Sequence, residues 1–407
     1  MISNRMSSIP PSPIRKLVPL SDAAKKRGIK VYHVNIGQPD IETPKIAMDA
    51  IRNFNVPVLE YSPSNGIPEL RESMKVYFND LEYGITEKDI IITNGGSEAI
   101  YFAFMVTMDA GDEVLVPEPY YANYNGFAKM AGVVIKPIPT NVENGFKLPS
   151  DAELEKYIAQ GKTKAIVICT PNNPTGTVRE KSELEQVVRF AKKHNLAIIA
   201  DEVYNEFVYD GKKHVSMMHF PEVAENTILI DSVSKRYSAC GARIGAFISK
   251  NELFVKAAMV LAQARLCPPT IDQVLAVELF KTDRSYLTAV RDEYCKRRDV
   301  VFEELNKIKG VVATRPSGAF YTVVKLPIKS ADDFARWLLE SFEYNKETVM
   351  VSPAGGFYGT PGKGIDEIRI AYVLNEKDMR KSVELLRIAL ERYNPDMKDE
   401  EKYNPII

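Results

Sequence analysis

A lysine, Lys235, stands just past an apolar run, Thr227-Ile-Leu-Ile230, inside the stretch Asp231-Ser-Val-Ser-Lys-Arg-Tyr-Ser-Ala-Cys-Gly-Ala-Arg-Ile-Gly245. An amine at a strand terminus, partly desolvated and near a second cation such as Arg243, is expected to have a lowered pKa and to act as a nucleophile. That is what a Schiff base with an aldehyde cofactor requires. The hydroxyls of Ser232 and Ser234 and the guanidinium of Arg243 are the donors that a phosphate beside this amine would use.

Four more segments carry chemistry, and each follows an apolar run. In Ile92-Thr-Asn-Gly-Gly-Ser-Glu-Ala-Ile100, the residues Gly95, Gly96 and Ser97 lead into a predicted helix, whose N-terminal N–H groups suit a phosphate. Pro117-Glu-Pro-Tyr-Tyr121 offers Tyr121 as a ring to stack on a planar ligand, or equally as core. Thr170-Pro-Asn-Asn-Pro-Thr-Gly176 presents Asn173, whose amide can donate to a phenolate or a carboxylate. Asp201-Glu-Val-Tyr204 places a carboxylate where it is costly unless it meets a cation. A pyridinium nitrogen is such a cation, and Tyr204 is within reach of the same ring's oxygen. Each segment alone also fits an ordinary turn or helix cap. Together, a lysine, a carboxylate, an aromatic ring, an amide and phosphate donors at successive strand ends describe a site for pyridoxal 5'-phosphate.

The elements that must position these groups are short apolar strands alternating with helices from about residue 45 to 280. They are Ile90-Ile-Ile-Thr93, Glu113-Val-Leu-Val116, Ala165-Ile-Val-Ile168, Ala197-Ile-Ile-Ala200, Ile228-Leu-Ile230 and Gly245-Ala-Phe-Ile-Ser249. Strands apolar on both faces imply a mostly parallel sheet covered by helices, an α/β fold that binds ligands at the strands' carboxyl ends. Residues 1–13, with Pro10, Pro11 and Pro13, are expected to form an extended arm. A short helix, Ile14 to Arg27, and a strand, Val31-Tyr-His-Val-Asn-Ile36, follow. Residues 45–285 form the expected large domain. The charged, helix-like segment 286–309 would connect it to a smaller α+β domain made of 14–44 and 310–407. There, Ala319-Phe-Tyr-Thr-Val-Val324 and Glu367-Ile-Arg-Ile-Ala371 have the pattern of antiparallel strands.

Composition narrows the function classes. A formal charge of −1 over 407 residues gives no support for a nucleic-acid or membrane surface. The four cysteines and four histidines are scattered without metal-ligand spacing, so no metal is expected. Free thiols, no signal-peptide core and no transmembrane-length apolar stretch lead to an expectation of a cytoplasmic protein. Ser232-x-x-Lys235 also fits the Ser-x-x-Lys signature of penicillin-recognising hydrolases, but neither Ser-Asp-Asn nor Lys-Thr-Gly occurs. Gly161-Lys-Thr163 imitates the end of a P-loop, but Lys156 stands where its first glycine belongs.

Asn173-Pro-Thr-Gly176, Asp201-Glu-Val-Tyr204 and Ser232-Val-Ser-Lys235 with Arg243-Ile-Gly245 resemble the class I aminotransferases of fold type I, as do Asn35-Ile-Gly-Gln-Pro-Asp40 and Glu60-Tyr-Ser-Pro-Ser-Asn-Gly66. The resemblance runs from about Val31 to Tyr372 and is closest in look to bacterial-type aspartate aminotransferases. It implies amino acid and 2-oxo acid substrates, most simply aspartate with 2-oxoglutarate as acceptor, exchanged by a ping-pong mechanism. It implies a homodimer with shared active sites, in which Tyr61 reaches the phosphate in the neighbouring subunit. It also implies that Gly37 lines the substrate site and that Arg369, on pattern alone an outward-facing strand residue, clamps the substrate α-carboxylate. An acidic side chain needs a second cation, for which the candidate is Arg265, in Ala262-Gln-Ala-Arg-Leu-Cys-Pro-Pro269, a segment that the resemblance brings close to the neighbouring subunit's active site; Arg15, near the N-terminal arm, is the runner-up. Other donors (alanine, aromatic amino acids, kynurenine) and β-eliminating or cyclopropane-forming lyases share the cofactor motifs, and product analysis separates them.

Overall fold

The computed structural model describes residues 2–7, 9, 12 and 14–393. In chain order, β1 (Lys30–His33) precedes β2 (Ile90–Asn94), β3 (Glu113–Glu118), β4 (Val134–Pro139), β5 (Thr163–Cys169), β6 (Ala197–Asp201), β7 (Thr227–Ser232) and β8 (Ile244–Ile248). Every residue of β6, β7 and β8 is buried. Their side chains have no solvent face to serve, so the apolar run replaces alternation.

These seven strands, β2 to β8, form one sheet in the order β2-β8-β7-β6-β5-β3-β4. β8 runs antiparallel to both of its neighbours, and the other four pairings are parallel. From the β3/β5 boundary the chain builds outward in both directions, to β4 on one side and to β6 and β7 on the other. A reversal of strand order opens a crevice at the carboxyl ends there. Each face carries its own apolar core, one built on Ile92, Leu115, Ile166, Ile198 and Leu229. The other is built on Ile91, Val114, Val167, Ile199 and Phe247.

After the 22-residue helix Arg284–Leu305 come β9 (Val312–Ala313), β10 (Tyr321–Lys325), β11 (Glu347–Met350), β12 (Ser352–Pro353) and β13 (Glu367–Ala371). The order β12-β13-β10-β9 makes a second, antiparallel sheet, and β1 pairs in parallel with β11. A third core unites β10 and β13 with the helices Ala331–Glu340 and Glu376–Arg392 and with residues of the long helix, such as Val301.

Three expectations are revised. Asn4–Ser7 is a single helical turn rather than extended chain, while Pro10, Pro11, Pro13 and the tail 394–407 lie outside the described residues. The helix expected from Ile14 begins at Val18 and has Pro19 in its first turn, where a missing N–H costs nothing. β4 has no counterpart among the predicted strands. Lys136, Pro137 and Pro139 break its pattern, and they are tolerated because it is an edge strand, paired on one side only.

Candidate active site

The carboxyl ends of β3, β5, β6 and β7, together with the turn before β8, open into a cavity of about 670 Å³. It is lined by Lys235, Asp201, Tyr204, Gly96, Ser97, Tyr121, Asn173, Ser232, Ser234, Arg243, Gly37 and Arg369, all of them singled out from the sequence. Gly95 is not among the lining residues but adjoins Gly96, which is, at the start of the helix Gly95–Thr107.

At one end is an anion cradle. The helix Gly95–Thr107 has no side-chain cap at Asn94, so its first N–H groups remain available to a ligand. Gly95 has φ +75°, and a Cβ there would lie 2.2 Å from an Arg243 guanidinium nitrogen; only glycine lets the arginine close over this turn. Ser232 Oγ sits 2.8 Å from Ser234 Oγ and accepts the Ser234 N–H at 3.1 Å. The hydroxyl pair is thus held rigidly beside the cradle.

In the middle are the acid and the amine. Asp201 is 4 % exposed and ends β6 in a run of turns rather than capping a helix. Burial pushes its carboxyl up to about 6, although the Tyr124 hydroxyl and the Val203 N–H act in the opposite direction. Its Oδ2 accepts from Tyr124, and its Oδ1 is buried with no partner. A buried oxygen without a donor is a cost the fold carries until a ligand supplies one.

Lys235 Nζ donates to the carbonyl of Gly37 at 3.1 Å, with Cys240 Sγ at 3.8 Å. The expected lowering of its pKa does not hold. Burial acts downward, but Tyr321, Cys240 and Tyr121 together outweigh it and the net shift is upward. The cation that opposes this rise is Arg369 rather than Arg243, which is engaged with the carbonyls of Cys240 and Asn94.

At the far end, Arg369 is 1 % exposed, not outward-facing. One amino group donates to Asn173 Oδ1 at 3.0 Å and the other to the carbonyl of Asn35 at 2.5 Å. The rings of Tyr321 and Phe357 flank the guanidinium, with centroids 4.6 and 4.9 Å from its carbon, a cation–π arrangement. Its Nε is buried without a partner.

Two residues singled out from the sequence lie elsewhere. Arg265 is outside the cavity and committed to its own chain: its Nε donates to Glu98 at 3.1 Å and one amino group to the carbonyls of Ile92 and Ser64. This ion pair joins Arg265 to the helix Gly95–Thr107, while its second amino group is buried without a partner. Tyr61 is 78 % exposed on a segment away from the cavity of its own subunit. Arg15, the runner-up to Arg265, does line the cavity, at its exposed rim.

Sequence reasoning missed Tyr321 and Tyr124. The Tyr321 hydroxyl is 3.0 Å from that of Tyr204, and a Cβ on Gly37 would fall 1.7 Å from the Tyr321 oxygen, so Gly37 exists to admit it. Neither tyrosine had a local signal, because each acts on a residue more than seventy positions away.

A half-buried lysine, a partnerless carboxylate oxygen, an anion cradle and a guanidinium in one cavity coincide with what known proteins show. The family model for class I and II aminotransferases matches residues 29–386. The chain is 33 % identical to a probable aspartate/prephenate aminotransferase of Aquifex aeolicus, over 96 % of this chain and 98 % of that one. It is also 33 % identical to aromatic-amino-acid aminotransferase 2 of Thermococcus litoralis, with 96 % and 98 % covered. The structure superposes on Thermus thermophilus aspartate aminotransferase with maleate at a TM-score of 0.85, with 30 % identity and 96 % and 99 % covered. An alanine aminotransferase from Pyrococcus furiosus gives the same TM-score at 28 % identity, with 97 % and 100 % covered. The chain belongs to the class I and II aminotransferase family. No helix among the described residues is long and apolar enough to cross a membrane.

Proposed function

We propose that this aminotransferase uses pyridoxal 5'-phosphate to move the amino group of aspartate to 2-oxoglutarate, in a homodimer with shared active sites. The observation that carries the cofactor assignment is the buried, partnerless Oδ1 of Asp201 in the same cavity as Lys235 and the helix N-terminus. The residues fit the group: Asp201 for the ring nitrogen, Asn173 and Tyr204 for the ring oxygen, and Tyr121 for the ring face. Gly95, Gly96, Ser97, Ser232, Ser234 and Arg243 fit the phosphate. When bound, the cofactor supplies an aldehyde for the Lys235 amine and an electron sink for the substrate's α-carbon.

The chain's own residues do the rest. Arg369, already oriented by Asn173 and Asn35, presents a fork of donors to the α-carboxylate. Lys235 takes the proton from the substrate α-carbon and returns it, as general base and acid. Asp201 keeps a positive charge favourable at the position it faces.

Aspartate as donor rests on Arg15. Its guanidinium stands at the cavity rim, where an acidic substrate side chain would meet it. Arg15→Ala is expected to lower kcat/KM for aspartate about ten- to a hundred-fold relative to alanine, the worth of one charge-assisted contact. Equal losses on both substrates would return the donor to the neutral amino acids. The homodimer rests on exposed apolar side chains, Val58, Leu59, Tyr61 and Leu266, on two adjoining segments joined by the Thr270–Glu60 hydrogen bond.

The experiment for the central claim is an absorbance spectrum followed by titration with single amino acids without an oxo acid. A visible cofactor band that aspartate or glutamate converts, releasing the matching oxo acid, establishes the half-reaction. Absence of a band after adding pyridoxal phosphate would refute the cofactor, and release of pyruvate and ammonia would mark a lyase.

A further inference from the structure

Glu118 closes β3 and is buried, 1 % exposed, without being part of the cavity wall. Its Oε2 accepts two backbone N–H groups from the other sheet's connecting loop, Gly359 at 2.9 Å and Thr360 at 3.0 Å. Its Oε1 is buried with no partner. An ionised carboxylate so placed is expensive, and a neutral side chain would spare that cost. What the charge provides is a stronger grip on the two N–H groups than a neutral acceptor gives.

The gripped loop is the one that carries Phe357. Two residues after Glu118, the Tyr120 N–H donates to the carbonyl of Phe357 at 2.8 Å, so the strand end and the loop are fastened at adjacent points. Phe357 and Tyr358 then pack with Ala354, Ala122 and Ile14 in a small apolar cluster of their own. The Phe357 ring covers one face of the Arg369 guanidinium. Tyr121, three residues after Glu118, lines the cavity. Glu118 thus ties the support of the carboxylate-binding arginine to the strand end that presents the ring-stacking tyrosine.

We propose that Glu118 is a positioning residue for substrate binding: by pinning the Gly359–Thr360 backbone it holds Phe357 against Arg369 and keeps the guanidinium aimed into the cavity. This rests on the reading of Arg369 as the α-carboxylate clamp. Glu118 touches neither substrate nor cofactor, so its loss weakens carboxylate binding and leaves the proton-transfer step at Lys235 intact.

The test compares Glu118→Gln, Phe357→Leu and Arg369→Lys in the cofactor-loaded enzyme. The readouts are the dissociation constant for the unreactive dicarboxylate maleate, the amino acid half-reaction at saturation, the cofactor absorbance and the thermal midpoint. Glu118→Gln keeps an acceptor but removes the charge. It is expected to weaken maleate binding about five- to ten-fold, with the saturating half-reaction rate within about two-fold, the absorbance unchanged and the midpoint not lowered. Phe357→Leu, which fills the space without a ring, is expected to do the same. Unchanged maleate affinity in Glu118→Gln overturns the inference. If that variant loses its fold, unchanged affinity in Phe357→Leu overturns it instead. Arg369→Lys separates the two claims: if it leaves maleate affinity intact, the clamp reading itself fails. If only Arg369→Lys weakens binding, the clamp stands and the role of Glu118 falls.

Discussion

Lys235→Ala is expected to fold normally and to lose about four orders of magnitude in the amino acid half-reaction. Among the described residues, Lys235 is the sole lysine lining the cavity, and the other cations there, Arg15, Arg243 and Arg369, are guanidiniums that do not give up a proton. With the substrate carboxylate held by Arg369 as proposed, Lys235 is the one amine among the described lining residues that can take the proton from the α-carbon. Loss of a positioned general acid–base costs about two to four powers of ten, and the loss of the amine that bonds the aldehyde adds to it. Lys235→Arg distinguishes charge from proton transfer. It keeps the positive charge near the Gly37 carbonyl but cannot act as a base, so it is expected to be as inactive as the alanine variant. Single-turnover measurements of oxo acid release check both. Activity retained in Lys235→Arg would show that the lysine serves as a charge and that the base lies elsewhere. Folding is not at stake, because the half-buried Lys235 side chain makes two hydrogen bonds, to the Gly37 carbonyl and to Cys240 Sγ, and belongs to no apolar core.

What the sequence made legible follows from where its signals are local. Lys235, Asp201, Asn173, Tyr121 and Gly96 each sit within a few residues of an apolar run, and a strand followed by a polar turn is a pattern that single-sequence reasoning can read. Their convergence in one cavity follows from the sheet alone, since parallel neighbours deliver their carboxyl ends to the same edge. What was not legible has a different origin. The partner of Arg265 within its own subunit is Glu98, 167 positions away. The direction of the Lys235 shift depends on Tyr321, whose phenolic oxygen arrives from the second sheet. Tyr124 and Glu118 gain their meaning only from long-range partners, Asp201 in one case and the Gly359–Thr360 backbone in the other. β4 was hidden because an edge strand has little reason to be apolar. Contacts between the two sheets set both the electrostatics and the fine aim of the site, and such contacts have no periodicity to betray them.

The sharpest prediction for Asp201 is that activity and stability move in opposite directions when it is made neutral. Asp201→Asn keeps an acceptor for Tyr124 but cannot carry the charge, and loss of that electrostatic contribution is expected to cost about two to three powers of ten in turnover. The cofactor-free protein should nevertheless be more stable. An aspartate in the unfolded chain ionises near 3.8, whereas burial raises Asp201 to about 6 in the fold, so folding favours the protonated form. The stability that comes with this proton is fully present below the unfolded value. It is lost as pH rises from there through the folded value, and above it the fold bears a buried anion. A shift of this size corresponds to about 3 kcal/mol. Cofactor-free Asp201→Asn should therefore exceed the parent by about 1–3 kcal/mol at pH 8 in urea unfolding, and the gap should close by pH 4. A variant destabilised equally at both pH values would mean that the Asp201 charge is already compensated within the protein. In that case its partnerless oxygen would not be waiting for a cationic ring. Adding pyridoxal phosphate should reverse the order at pH 8, because the parent alone gains the ion pair, and the cofactor's arrival then turns the least favourable charge in the cavity into its anchor.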